Sequence, residues 1–81
     1  MDITKCEKLP LTRLHLDSML YCDVVPSTIA PGYVDVWLCR TGYGVAVNMF
    51  GTERLPDEEL LKLIEANVPY YIDELMRLCE K

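Results

Sequence analysis

Histidine occurs once in this chain of 81 residues, as His15, and tryptophan once, as Trp37. A single imidazole leaves any acid–base or nucleophilic scheme dependent on one residue. On the polar side of an alternating segment, His15 reads more simply as a surface residue. The four cysteines, Cys6, Cys22, Cys39 and Cys79, contain no C-x-x-C pair. Structural zinc sites draw their thiolates from such close pairs, so no metal is expected. No apolar run approaches the length of a membrane span, and the opening Met1 to Lys8 alternates charge without an apolar stretch. Those absences point to a cytoplasmic protein with reduced thiols, and Cys22, Cys39 and Cys79 read as small buried hydrophobes. The Gly42-Tyr43-Gly44 stretch is too short for a phosphate cradle and precedes a strand instead of a helix, so it reads as a turn. No cofactor is expected.

What the chain does contain is enough apolar content, 51%, for a folded core. At 81 residues folding buries only a little over roughly 60% of the unfolded surface. That allows one small domain spanning 1–81 and a thin core, with little room for a deep substrate cavity. Paired carboxylates of the glycosidase kind would find little pocket to raise either pKa. The expectation is therefore a protein that is not an enzyme.

Residues 33–40 (YVDVWLCR) and 43–50 (YGVAVNMF) are rich in β-branched and aromatic types and flank a glycine-containing turn. A two-residue turn at Thr41-Gly42 or Gly42-Tyr43 gathers Val36, Leu38, Val45, Val47 and Met49 on one face. The other face then presents Tyr33, Asp35, Trp37, Cys39, Ala46, Asn48 and Phe50. An odd-length loop would swap the faces.

From Pro56 onward the pattern turns helical. Pro56 suits a first helical position, and Asp57, Glu58 and Glu59 complement the positive end of the helix dipole. Leu60, Leu61, Ile64 and Val68, then Ile72, Leu75, Met76 and Cys79, recur at helical spacing. Pro69 interrupts them, which predicts helices over about 56–66 and 69–80, with Asn67 as a cap, or one kinked helix. Between Leu14 and Val24 the even positions are mostly apolar, which predicts a third strand over 19–25. Helix formers in the same segment keep a helix open, and 9–18 fits either. The expected fold is α+β: a small antiparallel sheet packed on C-terminal helices.

Charge is uneven. Residues 56–81 carry seven acids and three bases, net −4, whereas residues 1–55 sum to −1, giving −5 overall. That balance argues against direct contact with nucleic acid or an anionic membrane. It favours docking on a basic partner, although Glu58 with Lys62 and Asp73 with Arg77 are spaced as i,i+4 pairs of a solvated helix face. Tyr and Trp anchor interfaces more often than other residues. The candidate binding residues are accordingly Trp37, Tyr33, Tyr43, Phe50, Asp57, Glu58, Glu59 and Tyr70. The reading is a small acidic protein that regulates or inhibits a larger protein partner by surface contact. The surface it covers would be basic, of the kind that handles nucleic acid. In size and charge alone this is comparable to small phage-type inhibitors. The alternative is a homodimer or larger homo-oligomer with a small-molecule pocket around Trp37, Phe50 and Tyr43 at the subunit interface.

Overall fold

The computed structural model describes residues 11–80. Cys6 and the charge-alternating opening segment lie outside the described residues. The order is β1 (Thr12–His15), β2 (Leu20–Pro26), β3 (Tyr33–Arg40), β4 (Ala46–Glu53) and α1 (Asp57–Cys79). The strands form an antiparallel meander in sequence order, and α1 packs across one face. The fold is α+β, as composition and pattern imply, with differences in strand bounds and in the helix.

The segment that fits either strand or helix is a hairpin, and its alternation decides the outcome. Leu14, Leu20, Cys22 and Val24 all face α1 as strand residues, whereas a helix would have spread them around its axis. Turn chemistry supports it: one Asp17 carboxylate oxygen, Oδ1, accepts from the backbone N–H of Met19 at 2.7 Å and of Leu20 at 2.9 Å. The next connection is a turn over residues 30–33, closed by Tyr33 N–H to the Ala30 carbonyl at 3.1 Å. Pro31 fixes the first central position, and Gly32 takes φ +83° at the second, the type II pattern.

Gly42 does the same for the β3–β4 connection, at φ +87°, with Tyr43 N–H donating to the Arg40 carbonyl. The connection is longer than a two-residue turn, so β4 starts at Ala46 and not at 43. Its parity is nevertheless even, and Leu38 stands opposite Val47. A bulge then intervenes. Val36 pairs with Phe50 but Trp37 pairs with Asn48, so Met49 is the extra residue of β4. Phe50 consequently turns toward α1, which corrects its expected placement beside Trp37. Downstream, Gly51 sits opposite Asp35, where an added Cβ would lie 3.0 Å from the Asp35 carboxylate.

The two expected C-terminal helices are one helix of 23 residues with Pro69 inside it. The apolar stripe stays in phase through Pro69: Leu60, Ile64, Val68, Ile72 and Leu75 all contribute to the same core. Breaking the axis would lift half of that stripe off the sheet, and the packing outweighs the roughly 3 kcal/mol a mid-helix proline costs. Pro69 is also exposed, so its ring displaces solvent and not core. Asn67 caps nothing. Its side-chain amide donates back to the Leu63 carbonyl at 2.8 Å, inside the helix. Pro56 is the N-cap, one residue earlier than expected, and its carbonyl accepts from the N–H groups of Glu59 and Leu60. Among the described residues no helix is long and apolar enough to cross a membrane.

Candidate functional site

Most of the candidate binding residues fall on two surfaces: the outer side of α1, and the sheet face that α1 does not cover. On the sheet, Arg13, Asp23, Trp37 and Asn48 form one row across all four strands, and His15, Tyr21, Cys39 and Ala46 form the next. The Arg13 guanidinium grips Asp23 with two bonds, Nε to Oδ1 at 2.7 Å and Nη2 to Oδ2 at 3.2 Å. Asp23 is only 2% exposed, and its bond raises the Arg13 pKa above the ordinary arginine value. The same guanidinium lies 4.4 Å above the Tyr21 ring, whose centroid is 6.0 Å from that of His15. Residue-type reasoning passed over this cluster. A turn centred on Ser18 would have revealed it, since that register sets Arg13 opposite Asp23 and His15 opposite Tyr21.

Trp37 lies half-buried in that row, between Asp23 and Asn48. Residues 12–26 extend the sheet edgewise and do not fold over its ring. Tyr33 stands on the same face at the far end, opposite Glu53, and is exposed. Tyr43 sits in the β3–β4 turn with the Arg40 guanidinium 4.5 Å above its ring. Arg40 also donates from Nη1 to the Met76 sulfur at 3.3 Å, while its buried Nε has no partner. Phe50 faces the opposite side of the sheet from Trp37, against the core. The pocket of Trp37, Phe50 and Tyr43 expected for an oligomer is therefore not assembled from one side of this chain.

On α1, Asp57, Glu58 and Glu59 are exposed in the first turn. Tyr70 is 80% exposed, which is unusual for a tyrosine in mid-helix. Helical spacing sets it in a strip with Glu59, Leu63, Ala66, Asp73, Glu74 and Arg77, all exposed. The expected Glu58–Lys62 and Asp73–Arg77 pairs are not closed. Among the described residues the ion pair within 4.0 Å is Arg13–Asp23, on the far side of the sheet. Among the described residues, the helix thus presents carboxylates with no direct cation partner along a strip that holds one exposed aromatic ring.

Among the described residues no three His, Cys, Asp or Glu side chains come together as a metal site. Cys22 and Cys39 are fully buried, and burial pushes the Cys22 thiol up to about 12, far from a reactive thiolate. Comparison of the chain with protein-family models, with curated proteins and with solved structures finds no match.

Proposed function

We propose that this protein is a small acidic binding protein that docks the outer face of α1 on a basic surface of a larger protein. The observation that carries the reading is Tyr70, four-fifths exposed on the helix strip that also carries Glu59, Asp73 and Glu74, none of them ion-paired among the described residues. An exposed tyrosine supplies a large, stiff contact area, and burying it against a partner recovers what solvent exposure forgoes. Uncompensated carboxylates around it steer a cationic surface into register and repel acidic ones. Leu63 and Ala66 lengthen the apolar strip along the helix. In regulatory terms, the partner's basic surface would be one that otherwise holds nucleic acid, and the bound helix would mask it.

A photo-crosslinking experiment tests this in cells that express the protein naturally. Benzoylphenylalanine replaces Tyr70 in one variant and Ile29, at the exposed tip of the β2–β3 connection, in another. The reading expects one discrete larger adduct from position 70, weakened by added salt, and none from position 29. An adduct of twice the chain mass would instead favour the homo-oligomer. No adduct from position 70, or equal adducts from both positions, would defeat the docking face.

A further inference from the structure

On the flank of α1 away from Tyr70, the β1–β2 turn and the middle of the helix enclose an open groove of about 410 Å³. We propose that this groove is a docking slot for one lysine side chain of a protein partner. Because it lies on another flank, it stands without the Tyr70 reading.

The floor is Leu16, Leu20, Leu61 and Val68, each half-buried and packed on the core. The rim carries two exposed carboxylates from different elements, Asp17 of the turn and Glu65 of the helix. Oδ1 of Asp17 is occupied by the two turn N–H groups, which orients the carboxylate and leaves its second oxygen available. Pro69, on the same wall, has no N–H to offer the Glu65 carbonyl one turn earlier. The helix therefore has an acceptor there without its usual donor. Apart from His15, whose ring packs near Tyr21 on the opposite sheet face, no lining residue carries a basic group.

Apolar floor, acceptor rim and charge together specify the occupant. A four-carbon stem lies on the leucines while an ammonium with three donors meets acceptors from two directions. Arginine is a poorer match, since its planar fork seeks both oxygens of one carboxylate, and one oxygen of Asp17 is already committed. Anionic groups are repelled by both carboxylates. The groove is open along its length, which suits a side chain arriving on a partner's surface better than a free small molecule that must be enclosed.

The test is a ¹⁵N NMR titration of the full chain with N-acetyl-lysine N-methylamide, with the norleucine analogue as a stem lacking charge. The lysine amide should shift the backbone signals of Leu16, Asp17, Leu20, Leu61, Glu65 and Val68. It should bind about 3–10-fold more tightly than norleucine, the range expected for two solvent-screened carboxylates. Asp17→Asn with Glu65→Gln should erase that preference while the spectrum stays dispersed, and Glu65→Gln alone should halve it or more. Equal binding of the two amides would overturn the proposal. So would shifts of the same size at Asp57, Glu58, Glu59, Asp73 and Glu74, which would mark general attraction to acid. Cadaverine binding more than tenfold tighter than the lysine amide would assign the groove to a free diamine and overturn it as well.

Discussion

Met49 and Phe50 are consecutive in β4, yet both pack on the core beneath α1, because β4 carries one residue more than β3 between Trp37 and Val36. The bulge adds a second side chain to a thin core without lengthening the strand. Truncating either should therefore destabilise the fold. Met49→Ala, at a buried site, should cost about 2–4 kcal/mol, and Phe50→Ala, half-buried, about 2–3 kcal/mol. The double variant should lose less than the sum, since the two neighbours share one pocket. Urea denaturation monitored by circular dichroism measures all three. A Phe50→Ala variant within 0.5 kcal/mol of the parent would place the ring in solvent.

Pro69 sits inside a helix that continues through it, so Pro69→Ala should raise stability. The full mid-helix penalty is about 3 kcal/mol, and the chain entropy that proline removes from the unfolded state offsets up to about 1 kcal/mol of it. A net gain of about 2 kcal/mol in urea is expected, with helicity unchanged or slightly higher. A loss of stability would mean that the ring makes contacts the alanine cannot replace.

How far these features were legible in the sequence depends on which rule had a competitor. Alternation from Leu14 to Val24 assigned faces correctly even though the residues favour helices, because only a strand brings Leu14, Cys22 and Val24 onto one core. The bulge is not marked in the run from Val45 to Phe50, where Asn48 is the one polar residue and Met49 and Phe50 are adjacent apolar residues that could face either side. Its nearest signal was Gly51, a residue that in strands often marks such irregularities. At Pro69 the local rule was the stronger one and still lost, since a proline breaks a helix only when nothing holds the two halves in line. The candidate interface divides similarly. Tyr70 and the acidic first turn are exposed as residue type suggested, whereas Phe50 was misplaced by the bulge and the Arg13–Asp23 pair depended on a register that composition does not state.

The two arginines on the sheet make opposite predictions. Arg13 binds both oxygens of a buried carboxylate, so Arg13→Met should cost about 2–4 kcal/mol by leaving Asp23 without its guanidinium. Adding Asp23→Leu to that variant should recover most of the loss, because an apolar pair removes the charge that had to be matched. Arg40 keeps a buried Nε without a partner, and its head rests on Tyr43 and Met76, not on a carboxylate. Arg40→Met preserves the stem packing and removes the unmet donor, and should lie between no change and a gain of about 1 kcal/mol. Thermal unfolding of the four proteins separates the cases. Equal losses at both arginines would show that packing of the stems, not pairing of the heads, sets the cost.

Cys22 gives the protein a specific alkaline weakness. Its side chain is fully buried on β2, and desolvation, with smaller contributions from Cys39 and Asp23, pushes the thiol from 9.0 up to about 12. Below about pH 9 the thiol is protonated in both folded and unfolded chains, so its contribution to stability is fully present. Between pH 9 and 12 the unfolded chain releases the proton and the folded chain holds it. Stability then falls as pH rises, by about 1.4 kcal/mol per pH unit for this one group. Cys22→Ala should cost about 1–2 kcal/mol at neutral pH through the lost sulfur contacts, and should flatten the decline above pH 9. The diagnostic quantity is the difference between the two proteins, in which every other group cancels, measured by urea denaturation from pH 7 to 11. The curves should converge with rising pH and cross near pH 10. Parallel curves would show that Cys22 ionises as readily in the folded chain as in the unfolded one.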